Sequence, residues 1–91
     1  MFHVSEGIRN AKTSDGAVLL DINRNRILAT NVVGANIFEL MKLGFDKSQI
    51  VEEICRLFQV SIKTATDDVD EFAESLLRCG VLLEIASPDR H

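Results

Sequence analysis

The sequence has no Trp and no Tyr, only one Pro and two Cys, and its two His stand near the ends, at positions 3 and 91. Without an interior His or a CxxC pair, we expect no metal site and no cofactor. No Ser-His-Asp or Cys-His set and no glycine-rich phosphate loop is present, so we expect a protein that is not an enzyme. Asp21, close to Arg24 and Arg26, is interpreted as part of a surface ion pair.

Long apolar runs and an excess of basic residues are also missing. No run approaches the ~20 apolar residues of a membrane span, and residues 1–7 lack the blocks of a signal peptide. The net charge of −4 disfavours nucleic-acid and membrane partners, so we expect a cytoplasmic protein. Ninety-one residues suffice for one domain, expected at 1–85 with a flexible tail at 86–91. Cys55 and Cys79 are interpreted as reduced core thiols, although the sequence alone leaves a disulfide open.

The first third of the chain has the pattern of an antiparallel meander. Residues 2–12 form a weak strand candidate, either an edge strand or an arm, and the turn residues of 13–16 follow. Residues 17–22 are apolar on both faces, which predicts a central strand covered on both sides. Asn-rich 23–25 is the next turn, and 26–30 is the third strand.

The remainder predicts three helices and a short strand. Asn31 and Asp46 are the expected N-caps of the first two, the second with Gln49 in a capping box. Residues 62–79 carry the strongest helical periodicity, and 81–85 return as an extended segment. The predicted fold class is α+β, resembling a winged helix-turn-helix: a three-stranded antiparallel sheet, three helices and a short C-terminal strand.

Three stretches resemble the PqqD-like family: DGAVLLD at 15–21, NVVGANIFEL at 31–40 and DVDEFAESLLRCGVL at 68–82. The resemblance covers about residues 14–85. It implies a stand-alone recognition element of ribosomally made, modified peptide pathways, most similar to members from lasso-peptide natural product biosynthesis. Such domains bind the leader of a precursor peptide as an added antiparallel strand on the third strand, over the third helix. They then deliver the precursor to a separate modifying enzyme or leader peptidase.

The chain departs from the family pattern in the third strand. Asn25, Ile27 and Thr30 stand where Gly, an aromatic residue and Leu are common in the family. The backbone role of the strand is unaffected, but which side chains of a peptide its pockets take stays open.

The third strand is a suitable edge for strand addition, because it contains no Pro and only Arg26 is charged. The alternative is an edge covered by the N-terminal arm or by a second copy of the chain in a homodimer. Most of the apolar stripe of the third helix must also serve the core. The expected peptide-binding residues are Arg26, Ile27, Leu28, Ala29, Thr30, Asn31, Asp68, Val69, Phe72 and Leu76.

The third helix is acidic, with five acids against two bases and a net charge of −3. Its acids complement the positive helix N-terminus, or alternatively Asp67, Asp68 and Glu71 meet a basic leader residue. A winged-helix DNA-binding transcriptional regulator is the rival interpretation. The acidic helix opposes it, since phosphate contacts require Lys and Arg.

Overall fold

The structure is a computed structural model and describes residues 2–84; the predicted tail 86–91 lies outside them. No helix in that range is long and apolar enough to cross a bilayer. The elements are β1 (Phe2–Val4), β2 (Ile8–Thr13), β3 (Gly16–Asp21), β4 (Arg26–Asn31), α1 (Val32–Lys42), α2 (Lys47–Phe58), α3 (Ile62–Cys79) and β5 (Leu82–Glu84). The predicted α+β class, with a three-stranded sheet followed by three helices, is confirmed.

The strands form two antiparallel groups. β2, β3 and β4 make a sheet with β3 in the centre, and β1 pairs separately with β5, Phe2 opposite Glu84. The weak strand predicted at 2–12 is therefore two strands, divided at Gly7, where φ is +84°. Because β1 pairs with β5, it does not cover the edge of the larger sheet.

Local capping determines where the helices begin. The Asn31 side chain accepts from the Gly34 N–H at 2.8 Å. Asp46 and Gln49 form the predicted capping box, with both hydrogen bonds at 2.9 Å. Ser61 accepts from the Thr64 N–H at 3.1 Å and starts α3. Each cap satisfies an otherwise unpaired backbone donor.

The core lies between the inner face of the sheet and the three helices. β3 contributes Leu19, and β5 contributes Leu82, both fully buried. Cys55 and Cys79 are half-buried free thiols that pack against the core. The helices supply most of the other large buried side chains: Ile37, Phe38, Met41, Ile50, Ile54, Val69 and Leu76.

The outer face of the sheet is uncovered by residues 2–84. Leu20 is 38% exposed and Ile27 is 71% exposed. The prediction that the central strand is covered on both sides is therefore wrong. Its apolar pattern reflects a buried inner face plus an exposed apolar outer face, and residue types alone do not distinguish the two.

Candidate functional site

The free edge of β4 is the first component of the site. Within residues 2–84, β4 pairs only with β3, through a register that runs from Gly16 opposite Asn31 to Asp21 opposite Arg26. In an antiparallel ladder, alternate residues direct both N–H and C=O away from the partner strand. Every second residue of β4 therefore offers an unpaired donor and acceptor.

The second component is a cleft of about 250 Å³ beside the end of β4. We call this cleft the groove. One wall is the start of α1 and the other is α3. Its lining residues are Asn31, Val33, Gly34 and Ile37 from the first wall, and Asp68, Glu71, Phe72 and Ser75 from the second.

Helix α3 presents two adjacent stripes of side chains to two different environments. Ala65, Val69, Ala73 and Leu76 are buried in the core. The positions 68, 71, 72 and 75 follow the spacing i, i+3, i+4, i+7, so they share one face of the helix. This second face lies next to the core stripe and is directed at the groove.

Gly34 allows α1 to approach α3 closely. A Cβ atom at this position would lie 2.9 Å from Phe72 Cε1 and 3.2 Å from Thr30 Cβ. Both distances are shorter than an ordinary carbon–carbon contact of about 3.5–4.0 Å. Gly34 therefore allows the start of α1 to pack close to the ring of Phe72 and to the inner side of β4.

The two acids that line the groove differ from the other acids of α3. Among residues 2–84, Asp68 and Glu71 have no ion-pair partner. The remaining three acids of the helix are paired: Asp67 with Lys63 at 3.0 Å, Asp70 with Lys47 at 2.6 Å, and Glu74 with Arg78 at 2.9 Å.

A buried carboxylate ties the β3–β4 hairpin to the far end of α3. Asp21 is 1% exposed and accepts from the Arg24 N–H at 3.1 Å and from the guanidinium groups of Arg24 and Arg26. Arg26 also donates to the Cys79 carbonyl, and Arg24 to that of Gly80. Burial acts to raise the pKa of Asp21, but these donors outweigh it and lower the pKa. The interpretation as a surface pair is wrong, because the carboxylate is enclosed.

The predicted residues of β4 divide between the two faces of the sheet. Leu28 and Thr30 are half-buried on the inner face, and Leu28 packs against the core. Ile27 and Ala29 are exposed on the outer face. Arg26 lies at the C-terminal end of α3, so its guanidinium is directed away from the groove.

The structure brings Asn31, Asp68 and Phe72 together in the groove. Val69 is 0% exposed and Leu76 is 4% exposed, so both belong to the core and their side chains do not line the groove. Periodicity identified the helix but selected the neighbouring stripe for these two positions. The lining residues that the sequence did not indicate are Val33, Gly34, Ile37 and Ser75, whereas Glu71 was named only as one of three acids that could meet a basic leader residue. The spacing 68, 71, 72, 75 was the available signal for those on α3.

Among residues 2–84, no group of three or more His, Cys, Asp or Glu is placed to hold a metal ion.

Comparisons with known proteins agree with this architecture. The structure of TbiB1 in complex with the TbiA(beta) leader peptide has a TM-score of 0.82 and 26% identity, covering 92% of this chain and 98% of that one. A lasso peptide synthetase B1 complexed with the leader peptide has a TM-score of 0.81 at 24% identity, covering 91% and 98%, and shows the shared fold. No curated protein matches the chain.

The family model for PqqD, coenzyme PQQ synthesis protein D, matches residues 16–82. That span runs from the start of β3 into β5 and contains all the residues that line the groove. The chain therefore belongs to the PqqD family.

Proposed function

We propose that the protein binds the leader segment of a ribosomally synthesised precursor peptide, by addition of a peptide strand to the free edge of β4. The observation that carries this proposal is an open strand edge directly beside a groove. The likeness to TbiB1, whose structure contains a leader peptide, supports it. The class of modified peptide we propose is of the lasso type.

The direction of the bound peptide follows from an antiparallel addition. β4 runs from Arg26 to Asn31, so the N-terminal part of the peptide lies near Asn31 and the groove. Its C-terminal part lies near Arg26. Alternate side chains of the peptide face the Phe72 side, and those between them lie beside Ile27 and Ala29.

Backbone pairing alone gives too little free energy for stable binding. β4 has six residues, of which alternation leaves three facing outwards. Six ladder hydrogen bonds at about 0.5–1.5 kcal/mol each contribute roughly 3–9 kcal/mol. Association costs about 4–15 kcal/mol. Apolar anchors are therefore required, at ~1.5–3 kcal/mol for each fully buried side chain, and the Phe72 floor is where we place one.

We propose a non-catalytic role in which the bound precursor passes to a separate modifying enzyme or leader peptidase. The groove lining includes the carboxylates of Asp68 and Glu71 and the hydroxyl of Ser75, but no His, Cys or Lys. A nucleophile and a matched base are thus not brought together there. The same carboxylates repel nucleic-acid phosphate, which speaks against the DNA-binding alternative.

Selection from a displayed library of random 15-residue peptides tests the proposal. Peptides that bind the wild-type protein are then titrated into labelled protein, and backbone amide hydrogen exchange is measured. We expect exchange to slow at alternate residues of β4, because outward amides gain partners, and to stay unchanged in β2. If no peptide is enriched, or if the protected amides lie outside β4, the proposal fails.

Proline substitutions provide a matched control on the two sheet edges. Outward and inward N–H groups alternate, so one of Ile27→Pro and Leu28→Pro removes an outward donor of β4. The same holds for Ala11→Pro and Lys12→Pro on β2, the other edge of the sheet. Among the variants that stay folded by circular dichroism, we expect those in β4 to lose peptide binding and those in β2 to retain it. If the folded β4 variants and the folded β2 variants bind the peptide with equal affinity, strand addition at β4 is contradicted.

A further inference from the structure

We propose that the groove selects a basic side chain, Lys or Arg, in the N-terminal part of the leader segment that pairs with β4. Asp68 and Glu71 are the specificity-determining residues. This inference rests on the proposed function, since the groove is the site and the two carboxylates determine which residue it takes.

The distribution of ion pairs on α3 is the observation behind this inference. Its acids outside the groove have Lys or Arg partners at 2.6–3.0 Å. The two acids inside the groove have none among residues 2–84. If the acids of α3 served only to solvate the helix, the unpaired acids would be distributed without regard to the groove. Instead, the unpaired acids of α3 are the two that line it. The net charge at this wall of the groove is therefore −2, and it is uncompensated by any Lys or Arg lining the groove.

The rest of the groove suits the stem of a long basic side chain. Phe72 is half-buried and lines the groove together with the two carboxylates, so its ring provides an apolar surface there. Lys and Arg place their methylene groups along such surfaces and keep the charged group at a polar rim. An acidic residue would be repelled, and a small apolar residue would leave the carboxylates without a counter-charge.

A competing role for the two acids is to stabilise the start of α1. The first turn of this helix contains no acidic residue, and Asn31 and Gly34 line the groove opposite Asp68 and Glu71. Helix N-termini are stabilised by nearby negative charge. In that role, neutralising the acids lowers the stability of the fold but leaves the choice of peptide unchanged.

The test compares the peptides that two proteins select from the same random 15-residue library. One is the wild type and the other carries Asp68→Asn and Glu71→Gln. We expect Lys or Arg to be enriched at one fixed position on the N-terminal side of the apolar anchors with the wild type, and this enrichment to disappear with the double variant. The control carries Asp67→Asn and Glu74→Gln, which make the same change in net charge on the same helix outside the groove.

Affinities of one selected peptide complete the test. Replacing its basic residue by Gln is expected to weaken binding to the wild type about fivefold, and binding to the double variant by less than twofold, in keeping with partly exposed ion pairs. The measurement on the wild type changes only the peptide, so that half of the result does not depend on the folding of a protein variant.

Each other outcome is decisive. Enriched peptides without a basic residue, or with the same basic residue for both proteins, overturn this inference and leave strand addition standing. A loss of the preference in the control variant as well would mean that net charge alone sets the preference, and would also overturn it. If the wild type enriches no peptide at all, the proposed function fails, and the inference with it.

Discussion

Replacing Gly34 by Ala tests whether the groove depends on the close approach of α1 to Phe72. The new Cβ atom would stand 2.9 Å from Phe72 Cε1, about 0.6 Å inside the shortest comfortable carbon–carbon distance. Overpacking of this kind costs about 1–3 kcal/mol, and Ala gains roughly 0.4–1 kcal/mol over Gly in a helix. We expect the free energy of unfolding to fall by about 1–2 kcal/mol.

Peptide affinity is expected to fall more than stability does. The ring of Phe72 is half-buried, and Val69 and Ala73 of the same helix are packed in the core, so we expect the displaced ring to move into the groove. Losing one apolar anchor of ~1.5–3 kcal/mol corresponds to an affinity about tenfold or more lower. Urea unfolding measures the first effect, and calorimetric titration with a selected peptide measures the second.

The variant Gly34→Ala with Phe72→Leu provides the control. Removing the ring makes room for the new methyl group, so the double variant should be more stable than the sum of the two single changes by about 1 kcal/mol. Additive effects on stability, or an unchanged affinity for Gly34→Ala, would refute the argument that this contact shapes the groove.

Three further predictions concern Phe72 in the groove and two residues of β3, Gly16 and Asp21. Phe72→Ala should lower both the free energy of unfolding, by about 1–3 kcal/mol, and peptide affinity; an affinity loss at unchanged Tm would make Phe72 a contact only. Gly16→Ala should destabilise by roughly 2–5 kcal/mol in urea, because Gly16 has a φ of +150° and its Cβ would lie 2.0 Å from the Thr30 carbonyl oxygen; a loss below 1 kcal/mol would contradict this. The pKa of Asp21 is lowered from its ordinary 3.8. Its contribution to the free energy of unfolding is therefore complete above about pH 4 and is lost as the pH falls further, through the pKa of the folded state. Asp21→Asn should remove that acid-dependent loss, and parallel pH profiles of wild type and variant would refute it.

The helices could be predicted from the sequence because their signals are local. Asn31, Asp46 and Ser61 each accept from a backbone N–H three residues on, and the residue types and spacing are visible in the chain. Positive φ values at Asn25 and Gly80 likewise agree with the residues found there.

The pairing of β1 with β5 could not be predicted, because it joins residues near the two ends and neither strand has a marked pattern. Asp21 was misassigned for a related reason. Its burial depends on Cys79 and Gly80, which are far away in sequence and supply carbonyl oxygens to the arginines that surround it.

The groove was predicted in part. Asn31, Asp68 and Phe72 line it, whereas Val69 and Leu76 are core residues. A helical period shows which residues share a face but not which of two adjacent faces packs inwards. That choice is made by the whole core, here by the contacts of α3 with α1, α2 and β5.

The hydrogen bonds of Arg24 to the Gly80 carbonyl and of Arg26 to the Cys79 carbonyl have a geometric consequence for the groove. Among residues 2–84, side-chain hydrogen bonds between β4 and α3 are found only at this end, so we expect the two elements to separate by rotation about it. Asp68 stands 11 residues from Cys79, a distance of about 16 Å along the helix at ~1.5 Å per residue. A rotation of about 5° therefore moves Asp68 by roughly 1.4 Å, nearly the length of one carbon–carbon bond, while Cys79 stays in place. Bound peptides whose side chains differ in size by one methylene group therefore require only a small rotation, and no new packing at Cys79 and Gly80.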